Sequence, residues 1–380
     1  MRRAIPWAAV LAAAPLMLSA ACGKPFLSLT EKLGLVASDS IAVDLYLIGD
    51  AGLPAEHEPV LKALGEAIRR KPSETMVVFL GDNAYPHGLP DSAAADRKIA
   101  ERALDAQVDV VLDAGARGIM VPGNHDWNEQ GPGGLAGVQR EGRYVDARGK
   151  GKFVFLPAGG CPGPEVVDVG SSLRLVLLDT QWWLHPYEKP GPGSACRPAT
   201  EGAVIDSLKG AIRSAGGRHV VVAGHHPLAT GGVHGGYFEW YSYLALYPLA
   251  RQAGAAQQDL SGRRYKNLIA QMNGAFDAHP PLVYAAGHEH NLQVLRHGDP
   301  GRWLVVSGGG IYGHTEVSRA ITGTRYAARQ SGFMRMTVLN DGRVRMGVEV
   351  VGPDGALRED YSAWLVRDPR PVAPAAPVVK

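Results

Sequence analysis

Five apolar runs of the sequence each end in a glycine that is followed by an aspartate, an asparagine or a histidine. The polar residues at these five ends are Asp50, Asp82, Asn124, His225 and His288. Short apolar runs bounded in this way indicate buried strands. Because open α/β sheets bind ligands at the carboxyl ends of their strands, we expect these side chains to meet in one site.

The residue types at these ends are those of a metal site. Carboxylate, amide oxygen and imidazole groups bind metal ions, whereas a packed core has little use for them. Each motif alone is weak, since His225-His226 or the run from His288 to His290 could equally be core or surface histidines. The order of the five motifs, each at a predicted strand end, favours a shared metal site.

The elements that must position these residues predict an α/β fold. Strands at 41–48, 75–80 and 119–121 alternate with helical patterns at 56–71 and 91–115. Such alternation implies right-handed crossovers and a parallel sheet. A second sheet is predicted from strands near 152–156, 165–169, 173–179, 282–286, 292–296, 303–307, 332–338 and 343–350, with further helices at 203–212, 238–251 and 263–276.

Two glycine-rich segments follow the motifs. Residues 127–150 are expected to line the site. Residues 228–240 carry His234 and several aromatic side chains, and they form either a lid over the site or an ordinary surface loop. The sequence alone leaves both possibilities open.

The N-terminus predicts export. Residues 1–22 resemble a signal peptide, with two arginines ahead of an apolar run. The last five residues of this stretch are similar to a bacterial lipobox, which predicts acylation of Cys22 and a lipid-anchored protein in the periplasm or cell envelope. Plain cleavage after Ala20 or Ala21, without acylation, is the alternative. The formal net charge of +2 gives no reason to expect a nucleic-acid partner.

The remaining cysteines, Cys161 and Cys196, lie in turns rich in glycine and proline. In an exported protein, two such cysteines usually form a disulfide. Neither has the close cysteine or histidine spacing of a zinc site. We therefore expect a disulfide between them.

Two positions connect the motifs to a known family. The sequence resembles the calcineurin-like metallophosphoesterases and, among them, the purple acid phosphatases. The wider family has a metal-binding histidine two residues after its first aspartate, where this chain has Gly52. Purple acid phosphatases have instead a tyrosine three residues after the second aspartate, and Tyr85 follows Asp82 at that spacing.

The resemblance covers residues 41–350, and the stretches 81–85, 223–227 and 287–293 are similar to the tartrate-resistant branch. It implies a four-layer α/β/β/α sandwich of two mixed sheets with a binuclear metal site at the strand carboxyl ends. It also implies that a ferric ion is bound by Asp50, Tyr85, His290 and the bridging Asp82. A second, divalent ion (Fe²⁺, Zn²⁺ or Mn²⁺) would be bound by Asp82, Asn124, His225 and His288.

The chemistry of a phenol supports the ferric assignment independently. A phenol has a pKa of about 10, so only a strong Lewis acid holds it as a phenolate near neutral pH. The resemblance further implies that His125 contacts phosphate and helps to protonate the leaving oxygen. His226 is a second catalytic candidate, with a packing role as the alternative, because the tartrate-resistant branch often has tyrosine there.

The sequence therefore predicts an exported phosphatase that hydrolyses small phosphate monoesters by attack of a metal-bound hydroxide. Residues 23–40 are predicted as a tether, 41–352 as the catalytic domain and 353–380 as an extension that is disordered from about residue 367. A phosphodiesterase or nucleotide hydrolase on the same fold is an alternative, since fold does not fix substrate. A binding lipoprotein without catalysis is another.

Overall fold

The computed structural model describes residues 40–54, 56–298 and 302–369. The strands in chain order are β1 (Ile41–Ile48), β2 (Thr75–Phe79), β3 (Arg117–Met120), β4 (Phe153–Phe155), β5 (Glu165–Val169), β6 (Leu173–Leu177), β7 (His219–Ala223), β8 (Val283–Ala286), β9 (Leu292–His297), β10 (Arg302–Ser307), β11 (Thr324–Ala328), β12 (Gly332–Leu339), β13 (Val344–Val351) and β14 (Leu357–Val366). The helices are α1 (Pro59–Ile68), α2 (Arg97–Leu112), α3 (Gly134–Gly149), α4 (Gln181–Leu184), α5 (Glu201–Arg213), α6 (Tyr247–Gln252) and α7 (Arg263–Ala278). Short 3₁₀ helices lie at Pro72–Glu74, Ala158–Gly160, Val233–Gly235 and Trp240–Leu244.

These strands form two mixed sheets of seven strands each. The first sheet has the spatial order β14-β13-β12-β1-β2-β3-β4, and β1 to β4 are parallel to one another. The second has the order β11-β9-β10-β8-β7-β6-β5, and β6, β7, β8 and β10 are parallel. Each sheet therefore has a parallel centre whose carboxyl ends can carry functional side chains.

Alternation along the strands builds the layers. In β1, Leu45 and Leu47 belong to the core that includes side chains from both sheets, whereas Tyr46 and Ile48 belong to a core shared with the helices. Successive side chains of a strand point to opposite faces, so each sheet is covered on both faces. The prediction of a layered α/β sandwich with two mixed sheets is confirmed.

Residues 127–150, for which the sequence predicts no regular element, contain helix α3. Glycine lowers helix propensity, and this segment contains many glycines. The glycines instead allow close packing, because a Cβ at Gly142 would lie 3.2 Å from the Phe155 ring. A Cβ at Gly149 would lie 2.8 Å from Phe153. Tertiary contact with β4 thus outweighs the weak local preference.

The predicted second sheet also needs correction. The strands observed at 153–155, 332–339 and 344–351 belong to the first sheet, not the second. Apolar patterns indicate a buried strand but do not say which of two stacked sheets it joins. Strand β14 pairs with β13 as well, so the first sheet continues past the predicted domain end at residue 352.

Most helix predictions agree with the structure within a few residues, but the predicted helix at 238–251 is replaced by the 3₁₀ helix Trp240–Leu244 and the short α6. The predicted signal peptide, the acylation site at Cys22, the tether up to residue 39 and the tail from residue 370 lie outside the described residues. Within the described ranges, helices are too short or too polar to cross a membrane.

The predicted disulfide between Cys161 and Cys196 is confirmed. It joins the turn after the 3₁₀ helix Ala158–Gly160 to the loop before α5, across a sequence separation of 35 residues. Between its two ends lie β5, β6 and α4. The bond therefore restrains the whole edge of the second sheet.

We expect loss of this disulfide to destabilise the protein. Closure of a loop of this length is worth about 4 kcal/mol through the entropy of the unfolded chain. The double variant Cys161→Ser/Cys196→Ser should therefore unfold at a lower urea concentration than the wild type, with Ser171→Ala as a matched surface control. Two thiols in the native wild type that react freely with an alkylating reagent would contradict the bond.

Candidate metal centre

The carboxyl ends of five parallel strands meet at one place between the sheets. Asp50, Asp82 and the loop that contains Asn124 follow β1, β2 and β3 of the first sheet. His225 and His288 follow β7 and β8 of the second sheet. The structure brings all seven predicted metal ligands together here in two groups of side chains.

The first group has four donor atoms packed against one another. The Tyr85 hydroxyl lies 3.2 Å from Asp50 Oδ1 and 3.3 Å from Asp82 Oδ2. The same hydroxyl lies 3.2 Å from His290 Nε2, which is 3.5 Å from Asp50 Oδ1. Two carboxylates, a phenol and an imidazole thus converge on one point.

The second group shares Asp82 with the first. His225 Nε2 lies 3.3 Å from Asp82 Oδ2 and 3.0 Å from Asn124 Oδ1. His288 Nδ1 lies 3.1 Å from Asn124 Oδ1 and 3.2 Å from His225 Nε2. Asp82 Oδ2 therefore lies between the two groups, as a bridging carboxylate would.

Backbone carbonyls fix which nitrogen of each histidine is free to bind a cation. His225 Nδ1 donates to Leu80 O at 2.8 Å, since a carbonyl can only accept. His288 Nε2 likewise donates to Gln258 O at 2.9 Å. In both residues the other nitrogen, which faces the shared donors, keeps its lone pair.

The donor set fits metal ions. Asp50 and Asp82 are buried, and the ion pairs found for them within the described ranges are with histidines and not with lysine or arginine. Burial, followed by the charges of Asp50 and Asp82, raises the pKa of the Tyr85 hydroxyl well above its usual value. A strongly charged cation at this point would neutralise the carboxylates and stabilise the phenolate.

Backbone geometry at the strand ends aims the ligands. Asp50, Asp82 and His288 have φ angles of 59°, 56° and 71°, in the left-handed region that side chains rarely adopt. Each of the three follows a glycine. The chain thus turns sharply at the end of β1, β2 and β8, and the turn directs the side chain into the space between the sheets.

Gly52 explains why the fourth ligand of the first group is a tyrosine. A Cβ at this position would lie 2.5 Å from the backbone of residues 82–84, closer than real contacts allow. Tyr85 N donates to Gly52 O at 3.1 Å, which holds the two turns together. No side chain at position 52 could reach the first group without moving the turn after β2, whereas Tyr85 reaches it directly.

Asp126 organises the two turns of the first sheet, a role that the sequence did not reveal. Its carboxylate accepts hydrogen bonds from the backbone N–H groups of Gly123 (2.7 Å), Asp82 (3.0 Å), Asn83 (2.9 Å) and Ala84 (3.2 Å). It also accepts from the Asn83 amide at 3.0 Å. Asp126 therefore ties the turn after β2 to the turn after β3 and positions Asp82.

His125 lies at the open side of the site. Its Nδ1 donates to Pro86 O at 2.6 Å, and its Nε2 lies 3.9 Å from Asp82 Oδ2. Its ring contacts that of Tyr85 with centroids 4.5 Å apart, and its side chain is 21% exposed. A molecule held beside Asp82 would therefore be within reach of Nε2.

His226 lies beside the second group, with its ring centroid 4.7 Å from that of His288. It is fully buried, with Nδ1 2.8 Å from Thr180 Oγ1 and Nε2 2.7 Å from Gln258 Oε1. Burial, followed by the neighbouring His225, holds the pKa of His226 well below its usual value. Both nitrogens are engaged within the protein, which supports the packing role, and the catalytic role stays a prediction.

His234 is a site residue that the sequence did not single out for a role. Its ring stacks on that of His288 with centroids 3.8 Å apart, and its Nδ1 lies 2.9 Å from Asp259 Oδ1. The loop around it is held by Glu289 Oε1, which accepts from Thr230 Oγ1 and from the His234 backbone, both at 3.0 Å. The loop 228–240 therefore packs against the site and is not an ordinary surface loop.

A sequence model of the calcineurin-like phosphoesterases matches residues 44–292. A comparison with curated proteins finds no significant match. Among solved structures, the chain is similar to GAP50, described as the anchor in the inner membrane complex of Plasmodium, with 15% identity and a TM-score of 0.55 over 86% of this chain and 90% of that one.

Two further solved structures share the fold. The purple acid phosphatase PPD1 from yellow lupin (Lupinus luteus) seeds has 14% identity and a TM-score of 0.53, over 84% of this chain and 53% of that one. PhoD has 13% identity and a TM-score of 0.53, over 84% of this chain and 69% of that one. The family match spans more than half of the chain, and the fold and clustered metal-binding side chains agree with it. The chain therefore belongs to the calcineurin-like phosphoesterase family and is a metal-dependent phosphoesterase.

Proposed function

We propose that this phosphoesterase is an exported phosphatase that acts on phosphate monoesters and holds Fe³⁺ together with a divalent ion. The observation that carries the proposal is the position of the Tyr85 hydroxyl, 3.2–3.3 Å from Asp50, Asp82 and His290. A phenolate favours ferric iron over softer or less charged ions. The finer placement in the tartrate-resistant branch remains a prediction.

The two groups differ in their donor atoms, and we therefore infer that they bind different ions. The first group, with two carboxylates and a phenolate, would hold Fe³⁺ through Asp50, Asp82, Tyr85 and His290. The second, with one shared carboxylate, an amide oxygen and two imidazoles, would hold Fe²⁺, Zn²⁺ or Mn²⁺ through Asp82, Asn124, His225 and His288. When bound, the ions would supply Lewis-acid charge that neutralises the phosphate and makes water more acidic.

His125 would deliver a proton to the leaving oxygen. Because Nδ1 donates to Pro86 O, Nε2 is the nitrogen that faces the space beside Asp82 and would carry the transferred proton. An ester oxygen placed there would be within reach of that proton as its bond to phosphorus breaks. His125 N also donates to Asp82 Oδ1 at 2.9 Å, so its position is coupled to the bridging carboxylate.

His234 would hold the substrate from the second sheet. Its ring lies against the second group, and Asp259 fixes its orientation through Nδ1. Arg251 pairs with Asp259 in turn, with its Nε 2.7 Å from Asp259 Oδ2. His125 and His234 would thus contact a phosphate group from opposite sheets.

The Tyr85 assignment can be tested by colour. Oxidised wild-type protein should be pink to purple because of charge transfer from the Tyr85 phenolate to Fe³⁺, and Tyr85→Phe should fold but lose the band. Metal analysis with a visible spectrum measures this, with the exposed Tyr187→Phe as a control that keeps the colour. A colourless wild type that holds two metal ions and no iron would refute the ferric site.

The role of His125 can be tested by leaving-group dependence. His125→Ala should slow hydrolysis of an alkyl phosphate by roughly 100-fold or more, because the alkoxide needs a proton. The loss for nitrophenyl phosphate, whose leaving group is stable without a proton, should be much smaller. Steady-state kinetics of both substrates measures this, with the distant His297→Ala as a control.

Two outcomes of these measurements would count against the proposal. An equal loss for both substrates would remove His125 as the proton donor. Faster hydrolysis of bis-nitrophenyl phosphate than of nitrophenyl phosphate would favour a phosphodiesterase over a monoester phosphatase.

Export and anchoring require a separate test. If Cys22 is acylated, wild-type protein should partition with membranes, because buried acyl chains bind bilayers strongly. Cys22→Ala should then be soluble or remain unprocessed, as fractionation followed by mass spectrometry of the N-terminus would detect. Recovery of the wild type in the soluble fraction with Cys22 unacylated would exclude the anchor.

A further inference from the structure

An exposed apolar surface lies beside the metal centre, formed by the 3₁₀ helix Trp240–Leu244 and the first part of α6. We name it the aromatic rim, residues 240–249. Its most exposed side chains are Leu244 (85%), Leu246 (80%) and Trp240 (70%). Tyr241, Tyr243, Tyr247 and Leu249 are also exposed. Large apolar side chains in such a group usually mark an interaction site.

The aromatic rim is held in place by the residues that flank it. The Arg251 guanidinium lies over the rings of Phe238 and Tyr247, at 5.3 and 5.5 Å from their centroids. Gln252 Nε2 donates to Gly236 O at 2.8 Å and to the Tyr243 hydroxyl at 3.1 Å. Phe238 is buried beneath it. The exposure therefore belongs to a folded surface.

The same contacts join the aromatic rim to the site. Arg251 pairs with Asp259, which bonds to His234, and the His234 ring stacks on His288. Whatever binds the aromatic rim is therefore close to the metal centre.

The chemistry of the aromatic rim matches a lipid surface. No charged residue occurs from Trp240 to Ala250, a stretch that contains tryptophan, tyrosines and leucines. Tryptophan and tyrosine combine an apolar ring with a polar group, and they prefer the interface between a bilayer and water. Leucines that protrude as far as Leu244 and Leu246 can enter the acyl region without a matching groove.

Basic residues lie next to this apolar surface. Ser261 Oγ donates to Arg251 O at 2.6 Å, so α7 begins close to the end of α6. Its first turn contains Arg263 and Lys266, which are exposed and make no ion pair with the described part of the chain. Exposed positive charge beside an apolar surface complements anionic lipid headgroups.

The chain before the described residues is long enough to let the aromatic rim face a bilayer. Between Cys22 and Ser40 there are 17 residues, which could span roughly 56 Å if extended. Strand β1 begins at the end of the sheet opposite the metal centre, and its eight residues cover about 26 Å. A chain tethered at Cys22 could therefore still turn the aromatic rim toward the bilayer.

We propose that the aromatic rim docks on an anionic lipid surface, with Trp240, Leu244 and Leu246 inserted among the acyl chains. Docking holds the metal centre against the membrane whether or not Cys22 is acylated. This inference does not depend on which phosphate ester is hydrolysed.

The position of Trp240 offers a direct test in the processed protein, from which the predicted signal peptide has been removed. Trp127, Trp182, Trp183 and Trp303 are buried and Trp364 is half-buried. Phosphatidylglycerol vesicles with brominated acyl chains should therefore quench mainly the Trp240 fluorescence. We expect quenching in the wild type and its loss in Trp240→Phe, whereas Trp364→Phe should keep it.

A second pair of variants measures the contribution of the leucines. Leu244→Ser/Leu246→Ser should weaken binding to these vesicles by about 10-fold or more, because two apolar side chains no longer leave water. Ile99→Ser/Val166→Ser, which changes exposed apolar residues outside the aromatic rim, should bind as the wild type does. All variants should hydrolyse nitrophenyl phosphate at the wild-type rate, which shows that they are folded.

Three results would overturn the proposal. The first is quenching that persists unchanged in Trp240→Phe. The second is equal quenching by brominated phosphatidylcholine vesicles, which would remove the role of anionic lipid. The third is a wild-type dimer, detected by light scattering, that Leu244→Ser/Leu246→Ser dissociates while vesicles cause no quenching. In that case the aromatic rim is a contact between two copies of the chain.

Discussion

The buried carboxylate of Asp126 is the interaction on which the arrangement of the site depends. It accepts hydrogen bonds from four backbone N–H groups in two separate turns, and these turns carry Asp82 and Asn124. Burial, followed by Asp82, raises the pKa of Asp126 to about 6, and burial with Asp126 raises that of the adjacent Glu141 well above its usual value. The raised pKa favours the protonated form of Glu141, which avoids a second buried charge beside Asp126. Because Asp82 belongs to both groups of donors, a displacement of Asp126 would disturb the whole site.

The strand ends add a second constraint, since three ligands hold left-handed backbone angles. Such conformations are unfavourable by about 1–3 kcal/mol each, and they persist only where surrounding contacts enforce them. Here the contacts are close: a Cβ at Gly308 would lie 2.6 Å from Asp50 Oδ2, and Asp50 Oδ2 accepts from His288 N at 2.9 Å. The two sheets thus press the turns against each other. The ligands are held in position by the fold itself, which is how a site becomes preorganised for a cation.

The parallel strands and the ligand positions could be predicted from the sequence, because each strand-end motif indicates both a buried strand and a metal-binding side chain. An apolar run, a glycine and a ligand residue together identify a sharp turn at the edge of a sheet, and the fold and the disulfide followed. What failed depended on tertiary contacts. The many glycines of α3 gave no helix signal, because their close contact with Phe153 and Phe155 is visible only in the structure. Strands β12 and β13 have the same apolar alternation as their counterparts, and pairing with β1 decides their sheet.

Two histidines beside the metal ligands show the same limit at the level of single side chains. His226 is adjacent to a metal-ligand position in the sequence, yet Thr180 and Gln258 turn its ring into the interior. His234 is further from the motif in sequence, yet its ring lies directly on His288. Chain segments far apart in sequence determine both orientations, so no local pattern could have distinguished them.

The hydrogen bond from His288 to Gln258 O makes the two halves of the centre unequal. Asp50, Tyr85 and His290 come from the turns that end β1, β2 and β8. The orientation of His288 depends instead on a segment between α6 and α7 that belongs to neither sheet. Segments outside sheets open with lower free energy than core strands. An ion bound beside His288 would therefore exchange with the solution faster than one bound beside Tyr85.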